Sequence, residues 1–174
     1  MHTCEARLRD ATQIHDLIAS YSGDGTLLPR TLPEICENIR DFVVVEVAGR
    51  ILGCGALHLY GPHLAEVRSI AVRPESKGNG AGRLLIDALL EQASRQEVTC
   101  VCLFTRIPGF FARMGFTVAM REEIPDKLYK DCHRCPRLNN CDEVAMVRGE
   151  LPQFAILEPP ASQLVKLQVV TNAE

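Results

Sequence analysis

At 174 residues, 47% of them apolar and 24% charged, the chain fits one domain of ordinary globular composition, far from the low-hydrophobicity regime of disorder. A net charge of −3 without a long basic run argues against nucleic acid as a partner, because phosphate binding depends on clustered Lys and Arg. The N-terminus lacks an apolar stretch of signal-peptide length, and no segment approaches the roughly 20 apolar residues that span a bilayer; no membrane partner is expected, the cytoplasm is the expected compartment, and the eight cysteines read as thiols or metal ligands.

Ala6 to Arg9 alternates like a short strand, and Asp10-Ala11-Thr12 offers capping residues before the helical pattern Ile14, Leu17, Ile18, Tyr21. Thr31-Leu32-Pro33-Glu34 has Thr at a helix cap and Pro just inside, predicting a second helix to about Asp41. The runs Phe42 to Val47 and Ile51 to Leu59, joined by Ala48-Gly49-Arg50, predict an antiparallel hairpin. After Gly61-Pro62, Leu64 to Arg73 reads as a strand whose alternation puts Glu66, Arg68, Ile70 and Val72 on one face. A glycine-rich turn, a helix carrying Leu84, Leu85, Ala88 and Leu89, and an apolar strand from Val98 to Phe104 follow. Phe110 to Met114 predicts a short helix closed by Gly115, then a strand from Phe116 to Met120. Residues 143–148 predict a last strand of a domain spanning 1–150, and 151–174 reads as a C-terminal extension in which Leu164 to Val170 suggests an added strand.

The segment Lys77-Gly78-Asn79-Gly80-Ala81-Gly82-Arg83 joins a strand to an amphipathic helix. Glycines let backbone N–H groups point inward without Cβ obstruction, and a helix N-terminus adds positive potential, so the order predicts an anion site. It lacks the Gly-Lys-Ser/Thr ending of a P-loop, and its glycines do not fit the Gly-x-Gly-x-x-Gly dinucleotide fingerprint. Lys77-x-x-Gly80-x-Gly82 does resemble the acetyl-CoA loop of the GNAT superfamily, Gln/Arg-x-x-Gly-x-Gly/Ala, with Lys in place of Arg or Gln. The order of elements over residues 5–148 agrees with that superfamily. The resemblance implies an α+β, three-layer fold with a mixed central sheet flanked by helices. It also implies acetyl-CoA as co-substrate, and backbone contacts to pantetheine from Ile70, Ala71 and Val72.

Within the superfamily, Gly25-Thr26-Leu27-Leu28-Pro29-Arg30-Thr31, Gly53-Cys54-Gly55-Ala56-Leu57, Ala65 to Pro74, Leu103-Phe104-Thr105 and Phe110 to Phe116 resemble the acetyltransferase domain of N-acetylglutamate synthases. Ile124 to Tyr129 with Asp131-Cys132-x-x-Cys135 and Cys141-Asp142-Glu143 is similar to short, single-domain members of that group. The resemblance implies L-glutamate as acceptor and a place in arginine biosynthesis, with a homodimer left open.

Acetylating an amine requires removing a proton from an ammonium, stabilising an oxyanion and protonating a thiolate. Glu66 is the expected general base, a position to which the family resemblance also points, and Thr105 a candidate donor. Where many superfamily members carry an acidic Tyr on the short helix, this chain has Phe111. A dicarboxylate substrate calls for Arg: Arg30 matches a glutamate-binding Arg of the family and Arg68 lies on the strand face of Glu66. The family's Arg and Ser before the last strand are replaced by Asn140-Cys141-Asp142, with Arg134 or Arg137 as candidates to compensate. Cys132, Cys135 and Cys141 form half of a zinc signature, to be completed by His133 or a distant Cys4, against packed reduced thiols. Another amine acceptor, such as a polyamine, an antibiotic or a protein N-terminus, and a catalytically silent acetyl-CoA-binding regulator stay open.

Overall fold

A computed structural model describes residues 1–132, 135, 137 and 140–151. The first strand, β1 (His2–Glu5), lies earlier than the alternation of Ala6 to Arg9 suggests and pairs antiparallel with β2 (Phe42–Val47). Residues Leu8–Asp10 instead turn as a 3-10 helix, because the Arg7 amide donates to the Asp10 carboxylate at 2.8 Å and closes the chain locally. Helix α1 (Ala11–Ala19) buries Ile14, Leu17 and Ile18. Helix α2 (Leu32–Glu37) starts at the expected cap: the Thr31 amide donates to the Glu34 carboxylate at 2.7 Å and the Glu34 amide to the Thr31 hydroxyl at 3.4 Å. It stops short of Asp41, giving way to a 3-10 turn at Ile39–Asp41.

Strand β3 (Arg50–Gly61) completes the hairpin with β2, and β4 (Leu64–Val72) returns antiparallel to it. Helix α3 (Ala81–Arg95) buries Leu85, Ile86, Leu89 and Ala93, a helical stripe that seats it on the sheet. There follow β5 (Cys100–Thr105), α4 (Pro108–Ala112), β6 (Thr117–Val118), α5 (Pro125–Lys130) and β7 (Val144–Gly149). Among the described residues seven strands form one sheet in the order β1-β2-β3-β4-β5-β7-β6, in which only β4 and β5 are parallel. One face packs on α3 and on Phe111, Met114 and Phe116; the other packs on α1 and α2 and, over β5 and β7, on Ile124 at the start of α5. This is the three-layer α+β arrangement expected. The strand suggested at Leu164 to Val170 lies outside the described residues.

Strand β4 does not keep its alternation. Ala65 and Val67 face the α3 side, but so do Ile70 and Val72, whereas Ala71 packs on the α1 side. Parity flips because β4 carries an extra residue opposite Cys54–Ala56, with Ser69 at φ 54. Glu66 and Arg68 therefore share one face and Ile70 and Val72 the other, which corrects the single face expected for all four.

The bulge also opens the sheet. Strands β4 and β5 pair only at Ala65–Val101 and Glu66–Cys102, although β5 runs on to Thr105 and β4 to Val72. Beyond Glu66 the two strands diverge, leaving a wedge whose edges are backbone.

Candidate active site

The wedge leads to the glycine loop. Pro74–Ser76 is a 3-10 turn, and Gly78 and Gly80 follow at φ 81 and 83, a left-handed conformation that other residues adopt only with strain. A Cβ built at either would meet no atom of the described residues within 4 Å, so among these residues the loop is open on the side its glycines present. Gly80 is the N-cap of α3, which places the unpaired amides of the helix's first turn behind the loop. Inward amides at a helix start are a geometry suited to an anion. Lys77 lies 5.0 Å from the ring centroid of Tyr21, and Arg83 sits 3.6 Å from Asp87 one turn along α3.

Among the backbone groups expected to meet pantetheine, the Arg73 amide donates to Leu52 on β3, so strand alternation turns the amides of Val72 and Ile70 toward the wedge and that of Ala71 toward β3. The Tyr21 hydroxyl donates to the Val72 carbonyl at 2.5 Å. Ile70 and Val72 thus border the wedge by their backbone, and Ala71 belongs to the β3 ladder.

At the apex of the wedge the chain buries a charge cluster. The Glu66 side chain is 3% exposed; Lys127 reaches it at 2.6 Å, and the Tyr60 hydroxyl donates to its other oxygen at 2.8 Å. Lys127 also donates to Asp131 at 3.0 Å, one helical turn on, and Arg68 contacts Asp131 at 3.5 Å. Arg30 interacts electrostatically with Arg68, Asp131 and Glu66, and makes neither a hydrogen bond nor an ion pair with the described residues. Burial and the neighbouring Arg68 lower its pKa from the usual arginine value. Burial opposes the charge on Lys127, but the Glu66 and Asp131 carboxylates outweigh it and raise its pKa; Asp131 is held low because Lys127, Arg68 and Arg30 outweigh its own desolvation. Burial, and then the Glu66 charge, drive the Tyr60 phenol far up, so it is a neutral donor. Two carboxylates and three cations give the cluster a net charge of +1. Glu34, the other acid near Arg30, is exposed and bonded to Thr31.

The structure thus brings together Glu66, Arg68 and Arg30, and adds Lys127, Asp131 and Tyr60, which the sequence reading did not single out. The signals were faint: Lys127 and Asp131 are an i,i+4 pair, and Tyr60 lies across the β3–β4 hairpin from Glu66. Thr105, buried at the end of β5, accepts from the Ile107 amide at 3.0 Å and keeps its own proton to donate. Phe111 is a core residue, its ring edge-on to Phe110 and Phe116, so the short helix offers no acid at that position.

Cys132, Cys135 and Cys141 form no group of three ligand atoms within 4.8 Å of one another among the described residues; the Cys141 thiol instead accepts from Arg121, and nothing there supports zinc. His133 and Arg134 lie outside the described residues. Cys100 and Cys102 face one buried side, as expected, where burial pushes the Cys100 thiol up to about 11 and Cys102 higher still.

Comparison with known proteins agrees with the loop and the wedge. The acetyltransferase (GNAT) domain family matches residues 38–118. An uncharacterized N-acetyltransferase of Chlorobaculum tepidum is 41% identical over 148 residues, 84% of this chain and 96% of the relative. The amino-acid acetyltransferase of Mycobacterium tuberculosis is 37% identical over 115 residues, 64% of this chain and 66% of the relative. That of Ralstonia nicotianae is longer: the match, 34% identical over 132 residues and 72% of this chain, spans 29% of it. Among solved structures, a Mycobacterium tuberculosis protein in complex with CoA superposes with a TM-score of 0.75 at 28% identity, covering 87% of this chain and 100% of that one. N-acetylglutamate synthase from Neisseria gonorrhoeae, complexed with coenzyme A and N-acetyl-glutamate, superposes with a TM-score of 0.75 at 25% identity, over 87% of this chain and 35% of that one. The open loop, the split sheet and these relatives agree that the chain belongs to the GNAT family, as an acetyl-CoA-dependent N-acetyltransferase.

Proposed function

We propose that the acceptor is the α-amino group of L-glutamate and that the product, N-acetylglutamate, feeds arginine biosynthesis. The carrying observation is the cluster at the wedge apex: a buried carboxylate among three cations, with a net charge of +1 that one glutamate anion would neutralise. In this reading the glycine loop holds the diphosphate of acetyl-CoA and pantetheine lies along the Ile70 and Val72 backbone, which brings the thioester to the apex. Glu66 takes a proton from the substrate ammonium, directly or through water, and the neutral amine attacks the thioester carbonyl carbon. The carbon–sulfur bond breaks and the nitrogen sheds its second proton, which the Thr105 hydroxyl relays to the thiolate by giving up its own proton and taking this one; otherwise that proton passes to water and the thiolate leaves as the anion, its own pKa being about 8.5 by analogy with cysteine. Arg30, which makes neither a hydrogen bond nor an ion pair with the described residues, receives the side-chain carboxylate, and Arg68 supports it.

The names of the relatives support this reading. It is tested by release of CoA thiol across glutamate, other amino acids, polyamines and aminoglycosides. Glutamate should lead in kcat/KM by at least tenfold; turnover of other amines with none of glutamate overturns it. The core position of Phe111 favours a second reading, a regulator that binds acetyl-CoA without turnover, which binding in the absence of any amine turnover would establish.

A further inference from the structure

We propose that Lys127 determines acceptor specificity by receiving the α-carboxylate of an amino-acid substrate, while Glu66, 2.6 Å away, holds its α-ammonium. The inference deepens the proposed function and rests on its reading of the apex as the acceptor site. A zwitterionic amino acid presents an ammonium and a carboxylate on one carbon, and Glu66 with Lys127 presents the complementary pair at matching separation. Both have capacity to spare. Lys127 donates to Glu66 and Asp131, leaving the third hydrogen of its ammonium. Glu66 accepts from Lys127 on one oxygen and from Tyr60 on the other, leaving a lone pair on each. The pair is rigid: Asp131 anchors Lys127 from the same helix, Arg68 anchors Asp131 from β4, and the Phe104 ring lies 5.7 Å beneath the ammonium. With both side chains nearly buried, a substrate that failed to replace the lost hydration would bind poorly. Helix α5 lies outside the segment that matches the GNAT domain family, so this specificity element sits on a part of the chain distinct from the acetyl-CoA machinery.

The test compares L-glutamate with isoglutamine, its α-carboxamide, and with 4-aminobutyrate, which lacks the α-carboxylate. Wild type should favour glutamate over either analogue by about 100-fold in kcat/KM, the lower range for leaving a buried charge without its partner. In Lys127→Met the preference should fall to within about threefold, and Lys127→Arg should restore most of it. Because the ratio is taken on one preparation, it does not depend on how much of the variant is folded. If Lys127→Met yields no folded protein, the wild-type and Lys127→Arg ratios decide. An equal loss for all three substrates would make Lys127 a support for Glu66 and overturn the proposal, as would wild-type indifference to the α-carboxylate. If another α-amino acid, not glutamate, is the substrate and its amide is rejected, the glutamate reading falls while the role of Lys127 stands. If glutamate and isoglutamine are turned over alike, the reverse holds.

Discussion

The glycine loop and the charge cluster are built in opposite ways. The loop is contiguous, from Pro74 to Arg83, and works through backbone: two left-handed glycines, a helix start and open space where side chains would be. The cluster gathers Arg30, Tyr60, Glu66, Arg68, Lys127 and Asp131 from three stretches of chain, and works through side chains, Glu66 and Lys127 buried and the other four half-buried around them. A general site for a common co-substrate can be written in a few consecutive residues. A site for one acceptor depends on tertiary packing, so substitutions in the two regions should separate binding of acetyl-CoA from turnover.

The sharpest separation comes from Glu66→Gln. Removing the proposed base should lower turnover by about 10²–10⁴-fold while leaving acetyl-CoA affinity unchanged. A rate at saturating substrate within threefold of wild type would make Glu66 a bystander. The thermal shift caused by acetyl-CoA, measured on the same sample, reports whether the variant is folded.

Gly80→Val should do the converse. Valine is strained at φ 83, and its side chain would enter space that no atom of the described residues occupies and that is proposed to hold the diphosphate. Ligand at 100 times its dissociation constant should stabilise wild type by about 2.7 kcal/mol, a gain the variant should lose, whereas its unliganded melting temperature should drop by only a few degrees, about 1 kcal/mol. An unchanged ligand shift would mean that the diphosphate does not sit on this loop.

The contrast also explains what the sequence disclosed. Thr31 with Glu34, the hairpin of β2 and β3, and the strand-loop-helix unit around Gly80 are local patterns, and they were legible. Alternation misassigned Ile70 and Val72 because a one-residue bulge at Ser69 reverses strand parity without a glycine or proline to mark it. Glu66 and Arg68 were legible as neighbours on one strand face. Lys127 was not, since an exposed-looking lysine on a six-residue helix gives no sign that it docks on a buried glutamate 61 positions earlier.

Smaller effects sharpen the boundary between the regions. The Asp131 carboxyl titrates lower folded than unfolded, so its stabilisation is complete above the unfolded value of about 3.9 and is lost as pH falls through the folded one. Lys127 titrates higher folded, so its contribution is complete below about 10.4 and is lost as pH rises through its folded value. The melting temperature should therefore lose this cluster's contribution at both extremes, and Asp131→Asn should flatten the acid limb in a pH series of thermal unfolding. Tyr21→Phe removes the hydroxyl that donates to the Val72 carbonyl and should destabilise by about 1 kcal/mol in urea unfolding, with little change in turnover.

The central claim, that the wedge apex acetylates glutamate, is tested most directly by mixing the protein with acetyl-CoA and L-glutamate and following free thiol together with the mass of the product. The account predicts saturable thiol release, with one N-acetylglutamate formed for each thiol freed. Thiol release no faster with glutamate than without it, under conditions where acetyl-CoA binds, would contradict it.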